Sequence, residues 1–166
     1  GGSLEIGECF QHTHKHKPAR VTALVELLSS AGVKATASDN ILVALWTKLI
    51  SMGSFGPVGA AARAPIDVLI SIPQTRAVVE LAMNEIVAVA HALGIAVDAE
   101  FPKKYLATSA ATSPPGTTVS TIRDVLNGNA SEVLELSGAV VRYGEQKGIP
   151  TPTHAMLVGM LLPQEQ

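Results

Sequence analysis

Cysteine is nearly missing from this chain: Cys9 stands alone among 166 residues. No internal disulfide can staple the fold, and such usage leans towards a reducing compartment such as the cytoplasm. Aromatic residues are scarce as well, with one Trp, two Tyr and three Phe. Twelve Lys and Arg against fourteen Asp and Glu leave a net charge of −2, so there is no basic excess to neutralise a phosphate backbone. Nucleic acid is not expected as a partner. The start, Gly1-Gly2-Ser3, has no basic stretch followed by an apolar one, which argues against a secretion signal. Lys48, Pro57, Arg63, Pro65 and Pro73 break the apolar runs before they reach the roughly 20 residues of a membrane helix. The expectation is a soluble protein with no membrane partner. Also missing is a G-x-G-x-x-G after a strand. The nearest glycine run, GSFGPVG at 53–59, follows a helical stretch and holds Pro57 where a phosphate loop needs amides.

What is present is apolar: 47% of residues are hydrophobic and 16% charged, enough for one good core. Three amphipathic runs stop in the same way, at Ala31-Gly32-Val33, Leu93-Gly94-Ile95 and Lys147-Gly148-Ile149. Glycine followed by a β-branched residue predicts a left-handed C′ position with an apolar contact back onto the last turn. The first helix is expected from Pro18, presenting Val21, Leu24, Val25 and Leu28 on one face. The second starts near Asn40, with Asp39 offering a cap, and is expected to be interrupted by Gly53, Gly56 and Pro57. A third spans Pro73 to Leu93. Past an irregular TSPPGT at 112–117, shorter helices are expected at Ser120 to Asn127 and Thr153 to Leu162, and a long one at Ser131 to Lys147. Only Leu4 to Cys9 reads as a strand. A lone strand is not stable, so its sheet is expected to lie in sequence outside this chain.

Several residues carry candidate chemistry. ILVALWTKLI, residues 41–50, is apolar nearly all round, yet carries Lys48 two residues after the only tryptophan, Trp46. Such a lysine either lays its stem on the helix with its ammonium in water, or faces a cleft where it can donate a proton or polarise a carbonyl. The second role needs a carboxylate. Glu132, in NASEVLELSGAVV, is the best candidate, its simpler role being an acid at a helix start. His12, His14 and His16 of HTHKH alternate as metal ligands can. They fit an exposed polar loop better, since no Cys or carboxylate sits nearby at ligand spacing, and no metal is expected. His91 and His154 read as surface or core fillers, and Met52, Met83, Met156 and Met160 as packing residues.

The segment STIRDVLNGNASEVLELSGAVVRYGEQKGIPTPTH, residues 120–154, together with the W-x-K of Trp46 and Lys48, resembles the C-terminal domain of the ketopantoate reductase (2-dehydropantoate 2-reductase) family. That family carries a pattern like S-M-x-x-D-(x)-G-R-x-T-E-I-D-x-L-x-G. Here the matching positions read Ser120, Asp124, Gly128, Asn129, Ser131, Glu132, Glu135 and Gly138. GIPTPTH resembles the family's T-P-x-N tail, ELAMNEIVAVAHALGI with Glu85 its central helix, and LEIGE the segment leaving the nucleotide domain. The resemblance implies that Lys48 is the general acid protonating the carbonyl oxygen while NADPH delivers hydride to its carbon. It implies that Glu132 holds the substrate hydroxyl, that Ser120 contacts the substrate carboxylate, and that Asp124 supports Ser120 from one turn away. One and two turns after the lysine, well-known members place substrate-binding asparagines, where this chain has Met52 and Gly56. Asn129 replaces the arginine of the G-R pair.

The expected fold is therefore an all-α helical bundle like the C-terminal domain of 6-phosphogluconate-dehydrogenase-like reductases. Residues 1–16 would be a strand and linker left from a nucleotide-binding domain, and 17–166 the substrate and catalytic domain. The expected function is the catalytic half of an NADPH-dependent reductase of 2-oxo acids such as ketopantoate, in pantothenate biosynthesis, with a homodimer as a possible assembly. No cofactor-binding residue is assigned within the chain, which alone should bind NADPH weakly and be inactive. The competing class is a helical dimerisation or partner-binding module that has lost the site.

Overall fold

The computed structural model describes residues 2–9 and 18–165. Along it run β1 (Leu4–Ile6), α1 (Ala19–Ser30), β2 (Ala35–Ala37), α2 (Ile41–Ala62), α3 (Ile66–Ser71), α4 (Pro73–Ala92), α5 (Phe101–Thr112), α6 (Ser120–Leu126), α7 (Val133–Lys147) and α8 (Pro152–Leu161), with a 3-10 turn at Leu162–Glu165. The fold is all-α apart from the two short strands. Two compact units divide it, one up to Leu45 and one from Trp46 on. The expected boundary between residues 16 and 17 lies outside the described residues.

In the first unit, β1 does find its partner within the chain, contrary to expectation. It pairs in parallel with β2, Leu4 opposite Ala35 and Ile6 opposite Ala37. The Leu4 N–H donates to the Lys34 carbonyl at 2.8 Å and the Ser38 N–H to the Ile6 carbonyl at 2.7 Å. The Ser38 hydroxyl reaches Glu5 at 2.6 Å. β2 reads Ala-Thr-Ala, with too little side chain to betray a strand. On the predicted face of α1, Val21 is buried, Val25 and Leu28 are half-buried and Leu24 is exposed, while Leu27, outside that face, is 66% exposed.

The helix ends follow prediction. Gly32, Gly94 and Gly148 all have positive φ, and the N–H after each glycine returns to the last turn: Val33 to Leu28, Ile95 to Ala90 and Ile149 to Gly144, all at 2.9–3.0 Å. Gly128 closes α6 in the same manner, with the Asn129 N–H on the Asp124 carbonyl at 2.8 Å. The cap of α2 is supplied by Asn40, whose Oδ1 accepts the Val43 N–H at 3.4 Å.

The second unit departs from expectation at α2, which is not interrupted at Gly53 to Pro57 but runs on to Ala62 with Pro57 inside it. The proline removes one helical hydrogen bond, and packing on both sides keeps the helix going. A Cβ on Gly53 would lie 3.4 Å from Ile86 of α4, one on Gly56 3.0 Å from the Thr121 hydroxyl, and one on Gly59 2.4 Å from Ile122. These glycines are points of close approach, not stops. α2 ends where the Ala64 N–H reaches the Gly59 carbonyl at 3.0 Å, and Arg63, with φ 52°, takes the left-handed position that glycine holds elsewhere. Although α2 is long and apolar enough to cross a bilayer, 56% of its most apolar stretch is buried inside the fold.

Two helices were not foreseen. α3 is six residues fenced by Pro65 and Pro73, and α5 begins Phe-Pro-Lys-Lys with little apolar period. The scarce aromatics explain the second: Tyr105 stacks on Phe101 at 5.1 Å and meets Phe55 of α2 at 6.1 Å, which anchors α5 to the core. That core centres on α4, whose Val79, Ala82, Met83, Ile86, Val89 and Ala90 are fully buried.

Candidate active site

Lys48 owes its setting to its place in α2. Trp46 is 9% exposed and meets the Tyr143 ring of α7 at 5.9 Å. Two residues further, about 200° round the helix, Lys48 points to the exposed side. Its backbone carbonyl accepts the Ser51 hydroxyl at 2.9 Å, while no hydrogen bond or ion pair joins its ammonium to another described residue. The ammonium is thus accessible and uncompensated.

Glu132 occupies the N-cap position of α7, yet its carboxylate makes no capping hydrogen bond and is exposed. The neighbouring Ser131 does the structural work instead. Its hydroxyl accepts the Val133 N–H at 3.3 Å, while its own N–H and O–H donate to Glu165 at 2.7 and 2.5 Å. Ser120 is the exposed first residue of α6, and Asp124 is half-buried one turn later.

Ser120 and Asp124 therefore share one helix, and the contact of Thr121 with Gly56 seats that helix on α2, two turns beyond Lys48. Lys48 and Glu132 do not form an ion pair with each other. Met52 is half-buried and Gly56 fully so. At Gly56 any side chain would press on Thr121, whose hydroxyl lies 3.0 Å from where a Cβ would be and would have to give way.

A polar cluster that sequence reasoning passed over lies at the start of α8. The Glu85 carboxylate of α4 accepts the Thr153 N–H at 2.8 Å and the His154 N–H at 3.1 Å, filling two of the donors a helix start leaves open. His154 is fully buried. Its Nε2 lies 3.0 Å from the Ala82 carbonyl, which can only accept, so this nitrogen carries the proton. Nδ1 then accepts from the Ser137 hydroxyl at 3.0 Å. Burial holds the imidazole below its ordinary pKa, although the Ala82 carbonyl and the Glu85 carboxylate pull the other way. The available cue was the T-P-T-H that opens α8, with proline at N1 and histidine two residues on. His91, by contrast, is a surface residue bonded to the Val97 carbonyl at 2.9 Å.

The fit to a dinucleotide can be tested on the β1–α1–β2 unit, the one parallel strand-helix-strand unit among the described residues. Only Gly7 follows β1, crowded by Ile41 at 2.6 Å from where its Cβ would be. Glu8 comes next, 10% exposed, paired with Arg20 through one oxygen while the other has no partner. A buried carboxylate this close behind the strand repels a phosphate brought beside it. These residues do not fit a dinucleotide. No cluster of three potential metal ligands occurs among the described residues, and the HTHKH histidines lie outside them.

The family model for the ketopantoate reductase PanE/ApbA C terminal matches residues 40–165, and the chain belongs to that family. The 2-dehydropantoate 2-reductase of Pyrobaculum aerophilum is 30% identical over 148 residues, 89% of this chain and 52% of that protein. Among solved structures, the dimeric ketopantoate reductase from Staphylococcus aureus superposes with a TM-score of 0.85 at 17% identity, over 100% of this chain and 55% of that one. D-mandelate dehydrogenase in complex with NADH gives 0.84 at 23% identity, over 99% and 56%. At these identities the two structures attest the fold alone. The chain spans about half the length of the curated relatives it matches.

Proposed function

We propose that this chain is the substrate-binding and catalytic half of an NADPH-dependent reductase of 2-oxo acids such as ketopantoate, working in pantothenate biosynthesis in the cytoplasm. The family match over residues 40–165, with an exposed and unpaired Lys48 in it, is the observation that carries this reading. The nicotinamide cofactor belongs to the other half of the parent protein, because the residues here do not fit it. β1, α1 and β2 form the edge of that half: a two-stranded parallel sheet is too small to stand by itself, and parallel sheets are normally covered on both faces. This chain alone is expected to be inactive.

Within that division of labour, Lys48 holds a proton against the substrate carbonyl oxygen, stabilises the negative charge that develops there and then neutralises it. Glu132 accepts a hydrogen bond from the substrate hydroxyl. Ser120 donates to the substrate carboxylate, with Asp124 supporting it. Met52 and Gly56 stand where well-known members place asparagines, so a substrate series must decide which branch of 2-oxo acid is turned over best. Because the Staphylococcus aureus ketopantoate reductase is dimeric, we extend a homodimer to this protein as well.

The test is a kinetic series on the full-length protein with ketopantoate, the 2-oxo acid corresponding to mandelate, and other branched 2-oxo acids, each with NADPH and NADH. Lys48→Met keeps the stem but removes the proton donor, and kcat should fall about 10²–10⁴-fold. Glu132→Gln should act mainly by raising KM. A Lys48→Met enzyme that turns over its best substrate at near wild-type rate would retire the catalytic role and favour a binding module that has lost its site.

A further inference from the structure

A side chain at an N-cap position commonly closes onto the first N–H groups of its own helix. The Glu132 carboxylate does not, and stays exposed. Its two neighbours are fastened instead. Glu165, from the turn after α8, lies 34 residues further along the chain; one of its carboxylate oxygens accepts the Ser131 N–H at 2.7 Å and the other the Ser131 hydroxyl at 2.5 Å. The Ser131 oxygen in turn accepts the Val133 N–H at 3.3 Å, so the residues on either side of Glu132 belong to one network. Apolar packing backs it from the other direction. Met156 and Met160 of α8, expected inside the fold, are 53% and 54% exposed, and the side chains buried there are Leu157 and Leu161. Leu161 shares a buried cluster with Val133 of α7, Val125 of α6 and Ala60 of α2. That cluster ties the helices carrying Lys48, Ser120 and Asp124 to the start of α7, and Leu161 leads directly into the Glu165 turn.

We propose that Glu165 is a positioning residue for Glu132, an inference that rests on the substrate role proposed above for Glu132. Hydrogen bonds to a charged carboxylate are short and roughly twice as strong as neutral ones. One of the two formed here ends on the main chain, so it fixes the path of the backbone into Glu132 and not merely a side chain. With Ser131 held at two points and Val133 locked in the core, the Glu132 backbone has little room to shift. Its carboxylate, which the helix start does not use, is kept where the substrate hydroxyl can reach it. Such placement matters because a displacement of about 1 Å can cost on the order of 100-fold in rate. A Glu165 that only capped α7 would contribute to stability and leave substrate affinity alone.

A double-mutant cycle on the full-length protein tests this, with Glu165→Ala, Glu132→Gln and the two combined, each assayed for KM and kcat on its best 2-oxo acid. Glu165→Ala should raise KM about 10-fold and leave kcat within about 2-fold. In the Glu132→Gln background the same change should add almost nothing, because the group it positions has already lost its charge. Glu165→Gln, which keeps an oxygen for the Ser131 N–H, should recover most of the loss. Should Glu165→Ala fold poorly, Ser131→Ala is read in its place: it removes the hydroxyl contact alone and should raise KM by a smaller factor with the same dependence on Glu132. A wild-type KM in these variants, or an effect that multiplies in full with that of Glu132→Gln, overturns the inference and leaves Glu165 as a cap that moves only the melting temperature. An unchanged KM in Glu132→Gln itself retires the role of Glu132, and the inference with it.

Discussion

The two units are held together by different means. Up to Leu45, the described residues bury only Val21 and Ile41 among apolar side chains, and cohesion comes from the paired strands, the Ser38–Glu5 bond and the Glu8–Arg20 ion pair. From Trp46 on, the buried set includes Phe55, Leu69, Met83, Ile86, Leu106 and Ile122, each 1% exposed or less. Apolar burial is the main stabilising term in a fold, at about 25 cal/mol per Å², so it stabilises the second unit far more than the first. The difference is one of kind: backbone pairing and polar contacts hold the first unit, packed apolar side chains the second.

The sharpest test of that contrast is in the second unit. Phe55→Ala should cost about 3–5 kcal/mol in chemical denaturation, as truncation of a fully buried aromatic does. A loss under about 1 kcal/mol would mean that this core is loosely packed and that the contrast fails. The His154 cluster should give the next largest effect. Its pKa is depressed in the fold, so the stability it contributes is fully present above the unfolded value near 6.5 and is lost as pH falls towards the folded value. Below about pH 6.5 the folded state should weaken by up to about 1.4 kcal/mol per pH unit. In His154→Gln, which cannot take up that proton, the slope should flatten; an unchanged slope would place the acid sensitivity elsewhere. The smallest effect belongs to the first unit. Leu27→Ser, at a side chain 66% exposed, should change the stability of this chain by no more than about 0.5 kcal/mol. In the full-length protein the same change should cost more, and equal effects in both would show that α1 has no cover there.

What was legible in the sequence were the local signals. The glycines after α1, α4 and α7 announced themselves because a left-handed residue admits few alternatives. Where tertiary contact overrides local preference, reading along the chain went wrong. Gly53, Gly56 and Pro57 look like a stop until Ile86, Thr121 and Ile122 are seen to press on that stretch of α2. β2 was hidden because Ala-Thr-Ala becomes a strand only through β1, and α5 because its anchor is Phe55, far away in sequence. At the site, Lys48 and Glu132 stood out as charges in apolar surroundings. The bond of Glu85 to the start of α8 did not, since a carboxylate on a helix gives no sign of which backbone it will reach.

The pressure of Thr121 on Gly56 has an evolutionary consequence. Single steps from this chain towards an asparagine at position 56 meet a steric barrier, because the incoming side chain must displace a hydroxyl 3.0 Å from its Cβ. Shrinking Thr121 first opens the way at the expense of the contact that seats α6. The two positions are therefore coupled: a larger residue at 56 requires Thr121 to give way by a few tenths of an ångström.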